Sequence, residues 1–362
     1  MKKTILSIIA VLALSTSMNA QNLKYFSADE FPLYGKVTEN TAERYTRFPA
    51  EMKDTLRKAL WDLGMDSAGM CVRFRTNSTT IAAKWTSIYG LVMNHMPATG
   101  IRGLDLYTLI DGEWWQVRCT LPSTKKESER TFISDMTPEM REYMFYLPLY
   151  DGIRDFEIGI DSTAVIEQPV FASPTHNKPI VMYGTSILQG GCVSRPGMAS
   201  TNIISRKLHR EVINLGFSGN AFLDPVIADY MASVPDPGVY VMDNLPNCNA
   251  KRVAERTRPF VQKLRDAHPD VPIIFIEDPH YIHAYYSQKD YNNMKASNDS
   301  LKVIFNQLKK EGWKDIYYVE GARLNGEDRE GTVDGSHFTD LGMTKYVEIV
   351  LPVIKKAMKL KK

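Results

Sequence analysis

The strongest constraint on this chain is a change of hydrophobic period near residue 175. From about Lys24 to Pro169 the pattern is mostly period two. Val72 and Phe74 alternate with Arg73 and Arg75, and Ile81, Ala83 and Trp85 alternate with Ala82, Lys84 and Thr86. Such a period sends successive side chains to opposite faces of a strand. Leu106 to Ile110, then Asp111-Gly112, then Trp114 to Cys119, reads as a hairpin with a two-residue turn. Tyr143, Phe145 and Leu147 repeat the rhythm before Asp151-Gly152, and Phe156, Ile158 and Ile160 follow it. Many short strands with Asp-Gly turns predict an antiparallel β-sandwich, jelly-roll-like, over residues 21–174. Residues 50–63 form either a short helix or an irregular entry segment.

Ser173-Pro174-Thr175-His176-Asn177 reads as a linker. Beyond it, apolar strands alternate with helical stretches. The strands are Pro179 to Tyr183, Val212 to Leu215, Val239 to Met242, Ile273 to Ile276 and Ile316 to Val319. Val253, Thr257, Phe260, Val261 and Leu264 share one helical face, as do Leu301, Ile304, Phe305 and Leu308. Alternation of this kind predicts an α/β unit over residues 175–362, a parallel sheet with helices on both faces. Ligands then bind at the carboxyl ends of the strands. Pro352 is expected to kink or end the last helix.

The first twenty residues read as an address. Lys2 and Lys3 precede an apolar run from Ile5 to Leu14, and small residues lead to Ala20. This is the pattern of a signal peptide cut before Gln21, with export, most simply to a periplasm. The run is too short for a comfortable membrane span. The chain carries 44 Lys+Arg against 42 Asp+Glu. Without Lys2 and Lys3 that excess vanishes, so charge gives no argument for nucleic acid or an anionic membrane as partner. The sequence sets no oligomeric state.

Two loops carry nucleophilic chemistry. The first strand ends in Tyr183-Gly184-Thr185-Ser186-Ile187. A serine at a sharp strand-to-helix turn can present its hydroxyl above the sheet, although taken alone such a serine is more simply explained as a structural turn. The last loop reads Val333-Asp334-Gly335-Ser336-His337-Phe338-Thr339-Asp340. Asp334 precedes His337 by three residues, a spacing that lets its carboxylate accept a hydrogen bond from imidazole Nδ1 and leave Nε2 for a serine proton. An Asx-turn beside a solvated histidine is the alternative there.

Together these loops resemble the SGNH (GDSL-type) hydrolase superfamily. Asn214-Leu215-Gly216-Phe217-Ser218-Gly219-Asn220 resembles its glycine block, and Met242-Asp243-Asn244-Leu245-Pro246-Asn247 its asparagine block. The family pattern Gly-x-Asn is here Leu-Pro-Asn, and Thr185 stands where the best-known motif has Asp. Gly103-Leu104-Asp105-Leu106-Tyr107 resembles the Gly-x-Asp-Leu-Tyr mark of a two-domain branch, which also carries the Tyr-Gly-Thr-Ser-Ile form and Arg195-Pro196-Gly197.

The resemblance implies a flavodoxin-like three-layer catalytic domain behind the β domain. It implies a serine esterase in which His337 deprotonates Ser186 and Asp334 holds the imidazolium. The oxyanion would be received by the N–H groups of Ser186 and Gly219 and by the amide of Asn247, with Asn244 as the other candidate. No metal or organic cofactor is required. Loop aromatics mixed with polar groups, Tyr281, His283, Tyr285 and Tyr286 after the fourth strand and Asn94 and His95 in the first half, suit a sugar. A short-chain (acetyl) ester on a small molecule or oligosaccharide is therefore the expected substrate, with His280 and Tyr281 as binding residues. A phospholipid or thioester acylhydrolase, and a silent glycan-binding protein, are the alternatives. Intact Ser186, Asp334 and His337 argue against the latter. Glu277, Asp278, His280 and His283 lack a partner cluster for a metal site. Cys192 and Cys248 fall in loops at one end of the sheet, where a disulfide would brace the oxyanion side; Cys71 and Cys119 lie in the first half.

Overall fold

A computed structural model describes residues 22–360. The expected leader at 1–20 lies outside them. The first half holds ten strands: β1 (Leu23–Ser27), β2 (Leu33–Tyr34), β3 (Cys71–Thr76), β4 (Ile81–Ser87), β5 (Asp105–Ile110), β6 (Glu113–Cys119), β7 (Glu127–Ile133), β8 (Arg141–Tyr146), β9 (Ile153–Asp161) and β10 (Ile166–Glu167). Two short helices, α1 (Lys58–Gly64) and α2 (Ala98–Arg102), interrupt them. One antiparallel sheet runs β1-β9-β4-β7 and the other β10-β3-β8-β5-β6, with β2 on β3. Alternate residues of the two sheets, among them Phe74, Trp85, Phe145, Phe156 and Ile158, form the core between them. Phe145 meets Phe132 edge to face at 4.8 Å. The β5–β6 turn has positive φ at both Asp111 and Gly112, as a two-residue hairpin turn requires.

The second half holds β11 (Thr175–Gly184), β12 (Arg210–Gly216), β13 (Val239–Asp243), β14 (Ile273–Ile276) and β15 (Ile316–Val319). Its helices are α3 (Ser186–Gln189), α4 (Ser200–Leu208), α5 (Pro225–Ala232), α6 (Ala250–Ala267), α7 (Gln288–Lys310) and α8 (Asp340–Ala357). The strands pair in parallel in the order β12-β11-β13-β14-β15. The period-two split is visible strand by strand. Val181, Tyr183, Tyr240, Met242, Ile273 and Phe275 face the layer of α5, α6 and α7. Ile180, Met182, Val239, Val241, Ile274 and Ile276 face α4 and α8. The buried face of α6 is Val253, Thr257, Phe260, Val261 and Leu264, as the spacing predicts.

Two sequence expectations need correction. Thr175 onward belongs to β11, so the linker reading of 173–177 holds only for its first residues. Pro352 does not end α8, which continues to Ala357. Pro352 lies on the exposed side of that helix, where a carbonyl left without a donor is open to solvent.

The halves are not merely tethered. Phe48, Met52, Leu56 and Leu60, from the segment between β2 and β3, enter the same core as Phe217, Tyr230 and Phe260. Phe48 stacks on Phe217 at 5.1 Å. The buried Arg47 guanidinium donates to the carbonyls of Asn214 and Gly216 at the end of β12, at 3.2 and 2.6 Å.

Candidate active site

The strand order reverses around β11, and that reversal opens a crevice at the carboxyl ends of β11 and its neighbours. Ser186 stands there. Thr185 caps α3 by accepting the N–H of Ile187, so Ser186 is the first residue of that helix. Gly184 makes the turn possible, since a Cβ there would lie 2.7 Å from the Asp243 carbonyl oxygen. Ser186 is 8% exposed, yet its Oγ lies 2.9 Å from Nε2 of His337.

His337 comes from the loop before α8. That loop is closed by a bridge between Thr332 and Phe338 and by the Val333 N–H donating to the His337 carbonyl. Thr339 caps α8, its side chain accepting the Gly342 N–H. His337 Nδ1 lies 2.7 Å from Asp334 Oδ2. The other oxygen, Oδ1, accepts the backbone N–H groups of Ser336 and His337 at 3.0 and 2.8 Å. The Asx-turn and the hydrogen bond to the imidazole therefore coexist on one carboxylate. Burial pushes the Asp334 pKa up, but the hydrogen bonds from the His337 backbone, its ring and Ser336 overcome this and hold it at about 2. With Nδ1–H donated to that carboxylate, the free lone pair is on Nε2, facing Ser186.

Gly219 sits in the turn after β12 at φ +64, with open space where a Cβ would be. Gln189 fixes this turn. Its Oε1 accepts the Ser218 N–H at 3.0 Å, while its Nε2 donates to Asp66 and to the Leu149 carbonyl. After β13, Asn247 accepts the Ala221 N–H on its Oδ1 at 3.2 Å, which leaves its NH2 group for another acceptor. Asn244 is buried with its amide against Cys248 Sγ. Among the two asparagines, Asn247 is the one in a partly open position.

Other expectations fare differently. Tyr281 is only 8% exposed, and its ring stacks on His283 at 5.5 Å. The open aromatic faces of that loop belong to Tyr285 and Tyr286, with the Arg329 guanidinium 4.1 Å from the Tyr285 ring centre. His280 is half-buried and donates its backbone N–H to the Gly321 carbonyl. Glu277 is engaged by the Tyr318 hydroxyl and the Gly321 N–H. All four cysteines are free. The Cys192–Cys248 disulfide is absent because Cys248 turns into the core and donates to the Ala221 carbonyl, while Cys192 turns toward His337.

Sequence reasoning missed how much the first half contributes. The Tyr150 hydroxyl donates to the Ser186 carbonyl at 3.2 Å. His95 sets its ring edge-on to His337, 5.8 Å between centres. Asp105 is fully buried; it takes Arg195 at 2.7 Å and the Gly197 N–H at 2.9 Å, and the Tyr107 hydroxyl accepts from Arg195 at 2.6 Å. The signal was the pairing of two motifs, Gly103–Tyr107 and Arg195–Gly197, in one chain.

Three buried acids near the site make the stability of the fold depend on pH. Burial raises Asp66 to about 8 against Arg47, and Asp243 to about 7 against the Tyr346 hydroxyl. It raises Asp278 to about 7 against the Tyr281 hydroxyl. Their ordinary value is 3.8. Between about pH 4 and 7 the native state keeps protons that the unfolded chain has released, so stability falls as pH rises through that window. Above the folded values the slope vanishes. Thermal melts should show Tm dropping from pH 5 to 7, and Asp243→Asn should flatten the drop. A Tm that climbs over this range would contradict the assignment.

Comparisons with known proteins agree with the layout. A family model described as "GDSL-like Lipase/Acylhydrolase family" matches residues 177–355. A second, described as "N-terminus of Esterase_SGNH_hydro-type", matches residues 23–166. Curated proteins give no match. Among solved structures, a protein assigned as a GDSL-like lipase from Bacteroides ovatus is 35% identical, with a TM-score of 0.89 over 94% of this chain and 99% of that one. A salicylyl-acyltransferase from a tetracycline biosynthetic pathway is 18% identical, with a TM-score of 0.74 over 91% and 95%. A family two carbohydrate esterase from Clostridium thermocellum, in complex with cellohexaose, shares the fold at 12% identity, with a TM-score of 0.57 over 80% and 92%. No helix of the described residues is long and apolar enough to cross a membrane.

Proposed function

The chain belongs to the GDSL-like lipase/acylhydrolase family of SGNH-type ester hydrolases, and from that premise we propose that Ser186 is its nucleophile, His337 its general base and Asp334 the carboxylate that orients and stabilises the imidazolium. The observation that carries this reading is the relay Ser186 Oγ to His337 Nε2 at 2.9 Å and His337 Nδ1 to Asp334 at 2.7 Å. Ser186 attacks the ester carbonyl as its proton passes to Nε2. The tetrahedral oxyanion is received by the N–H groups of Ser186 and Gly219 and by the Asn247 amide. His337 then gives its proton to the leaving alcohol. Water repeats the cycle on the acyl-serine.

Asn247 is already held by its oxygen, so its donor end needs no reorganisation as charge develops. Asn247→Ala should lower kcat by about 10²–10³, with KM changed far less, in steady-state assays on p-nitrophenyl acetate. Equal kcat would remove Asn247 from the oxyanion site.

The substrate we infer is a short-chain (acetyl) ester of a carbohydrate. The shared architecture with carbohydrate esterases and the open rings of Tyr285 and Tyr286 support it. One observation favours the longer-acyl reading. The loop carrying His95, whose ring lies against His337, also exposes the apolar side chains of Leu91 and Val92. Turnover of p-nitrophenyl acetate against the decanoate, then of acetylated xylan fragments against phospholipid vesicles, separates the two. A strong decanoate preference would sink the carbohydrate reading. Export with cleavage before Gln21 is proposed alongside, and N-terminal sequencing of the mature protein tests it.

A further inference from the structure

Besides Ser186 and Asp334, His337 has two further neighbours with metal-ligating atoms. His95, Cys192 and His337 come from three distant segments, and each brings one donor atom into a group whose members lie within 4.8 Å of one another. We propose that these three residues form an inhibitory site for a divalent d-block cation of the zinc type, held by His95 Nε2, Cys192 Sγ and His337 Nε2. The inhibition rests on the reading of His337 as general base; the cation site itself does not.

The donor set selects the ion. Two imidazoles and a thiolate suit Zn²⁺ or Co²⁺ and leave one position for water, whereas Mg²⁺ and Ca²⁺ require oxygen donors. The tautomers are already fixed. His337 gives Nδ1 to Asp334 at 2.7 Å, and His95 has Nδ1 3.0 Å from Asn94 Oδ1. Each pairing leaves a lone pair on Nε2, and an acceptor behind a ligating imidazole is the usual support in metal sites. Cys192 is buried beside them and held at φ +72, a backbone state that residues with side chains seldom adopt. Tetrahedral zinc with bonds of about 2.0–2.3 Å needs donors roughly 3.5 Å apart, so closure takes a movement on the order of 1 Å. Residues 88–97, which carry His95, have no helix or strand to resist it.

The protons balance simply. Cys192 enters the site as a thiol, the ordinary form of a free cysteine at neutral pH. Binding exchanges the S–H bond for a sulfur–metal bond and releases one proton to solvent, so affinity rises with pH. The metal takes the Nε2 lone pair, Ser186 Oγ loses its acceptor, and turnover stops.

Co²⁺ is the direct probe, read by its thiolate-to-cobalt charge-transfer absorbance on the full chain. Wild type and Ser186→Ala should both show the band, the latter at equal or lower Co²⁺ because its serine no longer competes for Nε2. Cys192→Ser should lose the band, and His95→Gln should need at least tenfold more Co²⁺. In assays, Zn²⁺ should inhibit wild type and EDTA should restore it. Cys192→Ser should keep wild-type turnover in EDTA and require at least tenfold more Zn²⁺ for inhibition. Absence of the band in wild type, or zinc inhibition unchanged in both variants, would overturn the proposal. A band in wild type without ester hydrolysis in EDTA would overturn the catalytic reading and the inhibition while leaving the cation site in place.

Discussion

Replacing Ser186 by alanine will lower kcat on an aryl acetate by about 10⁴–10⁶ and leave the fold intact. The hydroxyl makes one side-chain contact, to His337, so its loss removes the bond-forming atom and little packing. Members of such a relay act as a unit. Ser186→Ala combined with His337→Ala should therefore be no slower than either alone. Asp334→Asn should cost about 10⁴, because an amide can donate to Nδ1 and leave the wrong ring nitrogen protonated. Asp334 stays ionised down to about pH 2, so loss of activity at mild acidity has to come from another group. Steady-state kinetics with a Tm control decide the matter. Wild-type and Ser186→Ala rates within tenfold of each other would refute the serine mechanism and favour a binding role.

The second large effect concerns the joint between the halves. Asp105 is fully buried and serves Arg195 and the Gly197 N–H together. Asp105→Ala leaves a half-buried guanidinium and a buried N–H without their acceptor, and should cost about 3–5 kcal/mol of stability. Gly197→Ala attacks the same joint sterically. Its Cβ would stand 2.3 Å from the Tyr107 hydroxyl and 2.7 Å from Asp105 Oδ2. Ser194, beside Arg195, gives both its N–H and its hydroxyl to Asp340, three residues beyond His337. Both variants should thus lose activity as well as Tm. Denaturant unfolding followed by activity at a temperature where each variant is folded would check this. Full activity in a folded Gly197→Ala protein would uncouple the joint from the site.

The fold was largely legible because its two periods are unmixed. Phe74 and Trp85 alternate with polar residues, whereas Val253, Thr257, Phe260, Val261 and Leu264 recur at helical spacing, and the structure buries each set on one face. Ser186, Asp334 and His337 were legible as local patterns at strand ends and before a helix. Their convergence is a product of the strand order, which a sequence does not print. Tyr281 looked like a binding residue because the loop is polar, yet its side chain is buried. Cys192 and Cys248 lie at one end of the sheet but point into different surroundings, and only coordinates record that. Asp105 and Tyr107 carried no readable chemistry because their partners lie some ninety positions onward, across the joint.

The segment from Arg47 to Leu60 has a consequence for how this architecture can be dismantled. Phe48 and its neighbours complete a hydrophobic layer that the C-terminal portion cannot close by itself. A truncated chain beginning near residue 175 would bare the rings of Phe217 and Tyr230 to water and aggregate. The N-terminal portion is thus no detachable cassette, and grafting it onto another hydrolase would require transplanting its landing surface too.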